Sequence, residues 1–89
     1  MIEKVIKVEN KLGLHARPSA MLVKTATRYR SDFHIESDGM KVNGKSIMGV
    51  MMLAAECGAE LHLIIDGPDE AHLLKEVVKL FKEKFGEIG

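Results

Sequence analysis

Residues 33–44 read Phe33-His34-Ile35-Glu36-Ser37-Asp38-Gly39-Met40-Lys41-Val42-Asn43-Gly44, and the fold turns on them. Phe33, Ile35 and Ser37 alternate with His34 and Glu36, and Met40 and Val42 alternate with Lys41. Alternation with period two sends successive side chains to opposite faces of a strand. Asp38-Gly39 is the pair that a two-residue type I′ hairpin favours, because both positions need φ > 0. The segment reads as two antiparallel strands, the second closed by Asn43-Gly44.

Working outward, the period changes on both sides. Upstream, Ala16, Ala20, Val23 and Ala26/Thr27 recur at three and four residues, the stripe of an amphipathic helix. Pro18 suits a first helical turn, so the helix should start immediately after His15. Before it, Ile2, Ile6 and Val8 share one face of a strand with Lys7 and Glu9 opposite, Val5 breaks the alternation, and Asn10 to Gly13 form a turn. Downstream, Ser46 precedes the apolar run Ile47 to Leu53 as an N-cap, and Gly49 marks that helix as short. Gly58 suits a turn with φ > 0. Leu61, Leu63 and Ile65 then alternate with Glu60, His62, Ile64 and Asp66 in a fourth strand. After Gly67-Pro68-Asp69-Glu70, whose acids suit a helix N-terminus, Leu74, Val77, Val78, Phe81 and Phe85 mark one face of a last helix. Lys75, Lys79, Lys82 and Lys84 favour its C-terminal half, and Gly86 can stop it. The order β-α-β-β-α-β-α gives an α+β fold: an open-faced two-layer β-sandwich, a four-stranded antiparallel sheet with three helices on one face.

The chain has 89 residues, room for one domain over residues 1–89. It is 46% apolar and 29% charged, the balance of a globular protein. The lone Cys57 cannot form an internal disulfide, and Met1-Ile2-Glu3-Lys4 does not resemble a signal peptide, so a cytoplasmic setting is expected. Ile47 to Ala55, the longest apolar stretch, falls far short of the roughly 20 residues of a membrane span, so no membrane insertion is expected. Thirteen basic and thirteen acidic side chains cancel, which argues against a nucleic-acid partner held by bulk charge.

The chemistry sits at Gly13-Leu14-His15-Ala16-Arg17-Pro18. A histidine at the threshold of a helix faces N–H groups without internal partners and the positive end of the dipole. That field disfavours an imidazolium, keeps the ring nucleophilic and welcomes an anion beside it. Arg17 adds a guanidinium suited to phosphate oxygens. A neutral imidazole, an anion cradle and an arginine suit one task, accepting a phosphoryl group on nitrogen and giving it away. Read alone, without the surrounding hexapeptide, His15 and Arg17 are a polar helix cap and a solvated charge.

The hexapeptide resembles the active-site signature of the HPr phosphocarrier family of the bacterial phosphoenolpyruvate-dependent phosphotransferase system. Lys45-Ser46-Ile47-Met48-Gly49-Val50-Met51 is similar to that family's regulatory-serine segment, and chain length and element order agree. The resemblance implies that His15 takes phosphate from phosphorylated enzyme I on Nδ1 and passes it to enzyme II A domains. Arg17 and the backbone N–H groups of Ala16 and Arg17 would hold the phosphoryl group. No metal or organic cofactor is implied, and the domain is a carrier rather than an independent catalyst. Ser46 would be a site for HPr kinase/phosphorylase, adding about −1.5 to −2 charges that repel acidic partners.

The resemblance also implies a docking patch of Ala20, Ile47, Met48 and Met51 beside His15, with Lys24, Arg28 and Lys45 around it and Val50 and Leu53 facing inward. Flexible thioethers suit a surface that meets several partners, a transcription regulator among them. A carrier that needs this one face free should be a monomer. Leu12 stands where many members of the family have a small polar residue, and Cys57 where lysine is frequent; Cys57 reads as an inert thiol. His34, His62 and His72 lack metal-ligand spacing with one another or with Cys57. Asn10-Lys11-Leu12-Gly13 resembles the nitrogen-related regulatory branch, while the Ser46 segment resembles the sugar branch. The reading from another class is a binding module that docks on a transcription factor without carrying phosphate.

Overall fold

The hairpin forms as its turn chemistry requires. In a computed structural model that describes residues 1–87, β2 (Asp32–Ser37) and β3 (Met40–Asn43) pair antiparallel, with Ser37 opposite Met40. Asp38 and Gly39 between them lie at φ 49° and 80°. The last two residues of the expected 1–89 unit fall outside the described residues. β4 (Glu60–Asp66) pairs with the other side of β2, and β1 (Ile2–Lys7) pairs with β4, so the sheet order is β1-β4-β2-β3, antiparallel throughout.

One face of the sheet is sealed and the other is wet. Phe33, Ile35, Leu61, Leu63 and Ile65 are buried under α1 (Ala16–Ala26), α2 (Ile47–Met52) and α3 (Glu70–Lys82). On the opposite face His62 lies between Glu3 and Glu36, its Nε2 2.8 Å from Glu3 Oε1. Val5, which breaks the alternation of β1, is exposed opposite His62 on this wet side. A Cβ on Gly44 would lie 2.3 Å from the Phe33 ring, so the end of the hairpin closes directly over that core aromatic. No helix among the described residues is long and apolar enough to cross a membrane.

Two helical faces differ from the sequence expectation. In α1 the buried side is Pro18, Ser19, Leu22, Val23, Thr25 and Ala26, while Ala16, Ala20 and Thr27 are exposed. Ser19 can be sealed because its hydroxyl donates to the Leu14 carbonyl at 3.0 Å. Alanine side chains gain little from burial, so the larger Leu22 sets the inward face. In α3 the sealed residues are Leu73, Val77 and Phe81, with Leu74 and Val78 half-buried. This helix ends at Lys82, short of Gly86, and Lys84 lies beyond it. Lys84 and Phe85 both turn left-handed at φ 54°, which costs roughly 1–2 kcal/mol per residue. The turn sends Phe85 inward, edge-on to Phe81 with ring centroids 4.9 Å apart, and that burial is worth about 1.5–3 kcal/mol.

Asp69, at the N-terminus of α3, does not cap its own helix. Its carboxylate reaches the α1–β2 connection, accepting from Arg30 N and Ser31 N at 2.9 Å each and from Ser31 Oγ at 2.5 Å. Gly67 makes the approach feasible, since a Cβ there would lie 2.5 Å from Ser31 Cα. The Ser31 hydroxyl, followed by the Arg30 amide, holds the Asp69 carboxyl down at about 2. A carboxyl depressed in the folded state stabilises the fold above its unfolded pKa, and that contribution is lost as pH falls through the folded value. Asp69→Asn should therefore lower the thermal midpoint at pH 7 and flatten its decline between about pH 4 and 2. Matching thermal denaturation curves for the two proteins across that window would contradict this assignment.

Candidate functional site

His15 is the N-cap of α1, with φ −75° and ψ −174°, and its side chain makes no capping hydrogen bond. The first backbone bond of the helix runs from Ser19 N to His15 O at 2.9 Å. Residues 16–18 precede that donor, and helix geometry gives them no intrahelical acceptor. Pro18 has no N–H, so Ala16 and Arg17 supply the free amides at this end. The imidazole is exposed beside them and lines a small cavity of about 180 Å³ with Leu14, Met51, Ala54, Ala55 and Glu56. Arg17 is also exposed but lines a separate crevice with Leu12, Pro18, Phe85 and Glu87. The helix start thus brings His15 and Arg17 together in sequence while directing them to different hollows.

The loop that delivers His15 is fastened at three points. Leu14 N donates to the Ala55 carbonyl at 2.9 Å. Gly13, at φ 66°, lies so close to the 55–56 backbone that a Cβ would fall 2.3 Å from the Ala55 oxygen. Asn10 is buried, and its amide donates to Gly13 O at 2.8 Å and to a Glu87 carboxylate oxygen at 3.2 Å. Glu87 also accepts from Leu12 N at 3.3 Å, so the chain following the left-handed turn clasps the loop. Sequence reasoning missed Asn10 beyond its turn role, and it missed Glu87. Its only signal for Glu87 was an acid past Gly86, since the contact spans almost the whole chain.

Ser46 caps α2 as expected, its hydroxyl accepting from Gly49 N at 3.1 Å. With Val50 sealed and Leu53 packed on the core, the outer side of α2 faces solvent. Ile47 is 44% exposed, Met48 76%, Met51 41% and Met52 63%. An exposed apolar surface of this kind makes the outer side of α2 a candidate docking patch. Ala20 and Lys24 are exposed along α1 and Arg28 in the turn after it, and Met52 adds to the apolar surface expected of Ile47, Met48 and Met51. Lys45 is held instead, its ammonium donating to Tyr29 O at 2.8 Å.

A family model described as "PTS HPr component phosphorylation site" matches residues 2–83. The chain belongs to the HPr phosphocarrier family. It is 47% identical to phosphocarrier protein HPr of Treponema pallidum over 87 residues, 98% of this chain and 99% of that protein. The crystal structure of HPr from Thermoanaerobacter tengcongensis superposes at TM-score 0.96 with 45% identity, covering all of both chains. Crh of Bacillus subtilis, described as a catabolite repression containing protein and solved as a swapped dimer, gives TM-score 0.75 and 44% identity over 94% of this chain and 97% of that one. The HPr fold therefore covers the whole chain, the loop bearing His15 and the start of α2 included.

Gly13→Ala adds a methyl group at a positive φ and against backbone, and it should lower unfolding free energy by roughly 2 kcal/mol or more. Urea denaturation measures the loss; a change below about 0.5 kcal/mol, the size of an ordinary surface substitution, would contradict the close approach.

Proposed function

We propose that this HPr-family chain is a phosphocarrier of the sugar phosphotransferase system. His15 accepts a phosphoryl group from phospho-enzyme I and passes it to enzyme II A domains. The observation that carries the reading is the exposed imidazole at the N-cap of α1, beside the two free amides of Ala16 and Arg17. The lone pair of His15 Nδ1 forms the P–N bond as the donor's bond to phosphorus breaks. The amides of Ala16 and Arg17 and the positive end of the helix dipole offset the arriving charge. Arg17 swings its guanidinium from the Leu12 crevice to the phosphoryl oxygens. This is catalysis by positioning and electrostatics, with in-line geometry completed by the partner protein, and the chain is a carrier rather than an independent catalyst.

Ile47, Met48 and Met51, with Ala20, form the docking surface, and Lys24 and Lys45 add positive charge that steers acidic partners. Ser46 is the regulatory site: HPr kinase/phosphorylase would place a phosphate at the start of α2, where added negative charge repels an acidic partner without unfolding the helix. The protein works in the cytoplasm as a monomer, since one face serves every partner. The likeness to Crh, described as a catabolite repression containing protein, favours a second reading, a regulatory module that docks on a transcription factor without carrying phosphate.

Incubation with phosphoenolpyruvate and enzyme I should add one acid-labile phosphoryl group by intact mass, and His15→Ala should abolish it. In the same assay Ser46→Asp should slow labelling roughly tenfold or more while keeping the thermal midpoint, in line with a like charge at the docking face. No labelling by any competent enzyme I would favour the non-carrying binding module, and unaltered labelling of Ser46→Asp would remove the switch.

A further inference from the structure

We propose that Glu56 tunes the phosphoryl-transfer potential of His15, an inference that rests on the reading of His15 as the phosphoryl acceptor. Glu56 and His15 line the same cavity of about 180 Å³, between Leu14, Met51, Ala54 and Ala55. The backbone leading to each is joined to the other's segment. Leu14 N donates to Ala55 O, and a Cβ on Gly13 would lie 2.8 Å from Glu56 Cα. Glu56 O accepts from Ala59 N at 2.9 Å, closing the turn on its other side. Ala54 enters this segment at φ 48°, a left-handed conformation that an L-residue adopts at a cost, so the chain reverses immediately before Ala55 and Glu56. The carboxylate is exposed, and among the described residues no basic side chain forms an ion pair with it.

The site therefore carries opposed electrostatic elements. The amides of Ala16 and Arg17 attract the phosphoryl group from the helix side, and Glu56 repels it from across the cavity. Repulsion raises the free energy of the charged phosphohistidine more than that of the free imidazole, so the group is held but ready to leave. In transfer, an acceptor nucleophile bonds to phosphorus as the P–N bond breaks, and the electron pair returns to His15 as neutral imidazole. With water as acceptor, the products are inorganic phosphate and the reprotonated ring.

The experiment equilibrates the full chain with phosphoenolpyruvate, pyruvate and a trace of enzyme I, and reads the phosphorylated fraction by intact mass. Glu56→Gln should raise the equilibrium constant for phosphorylation roughly three- to tenfold at low salt, and the gain should shrink as ionic strength rises. Glu56→Asp should stay within about twofold of the unaltered protein, because it keeps the charge. Glu60→Gln, an exposed acid on β4 outside this cavity, should also leave the constant within about twofold, which separates a local field from net charge. Labelling on His15 with no change in Glu56→Gln, or a change that salt does not reduce, overturns the inference alone. No labelling of the unaltered chain overturns the carrier reading and the inference together.

Discussion

The hydrogen bond from Leu14 N to the Ala55 carbonyl, reinforced by the close approach of Gly13, holds the loop before α1 against the segment after α2. Helix α1 can present an exposed histidine at its N-cap only because the preceding residues are fixed there. The same seam places the α2 surface beside the histidine, with Met51 in the cavity wall, and puts Glu56 across that cavity. The grouping of His15, Met51 and Glu56 around one cavity thus depends on a backbone contact that leaves no room for a side chain at position 13.

Around that seam the molecule separates stability from function. The sealed sheet face and the buried sides of α1 and α3 supply the core, and the Asp69 clasp to Arg30 and Ser31 joins α1's exit to the start of α3. The core reaches the helix start that bears His15 through Leu14 and Ser19, while the imidazole itself stays outside it. In α2 the two roles share six residues: Val50 anchors the helix while Met48, Met51 and Met52 stay open to solvent. A helix this short depends on its cap and its anchor, so the Ser46 hydroxyl bond to Gly49 and the burial of Val50 together hold the exposed methionines in place.

Elements whose cause is local were legible in the sequence. Asp38-Gly39 specified its hairpin because a two-residue turn leaves few alternatives, and Pro18 with His15 located the start of α1 because proline is tolerated only near a helix N-terminus. Ser46 declared its cap for the same reason. What escaped depended on distant partners. The inward face of α1 was right at Val23 and Ala26 but wrong in the first turns, where Ser19 becomes buriable only once Leu14 O accepts its hydroxyl. The end of α3 was placed too late because Phe85 turns left-handed to meet Phe81, a packing decision rather than a propensity. In the site, the helix start at His15 could be read from its motif, whereas the outward face of α2 came from the family resemblance, since methionines at helical spacing read first as core. The Asn10–Glu87 clasp and the placement of Glu56 belong to chain reversals that no local pattern announces.

The measurement that bears most directly on the account is the amide NMR spectrum of the chain before and after phosphorylation. If the helix start cradles a phosphoryl group on His15, the Ala16 and Arg17 amide protons should move downfield more than any others outside residue 15, and acid hydrolysis should return them. A phosphorylated protein whose largest amide shifts lie away from residues 14–17, with Ala16 and Arg17 unmoved, would contradict it.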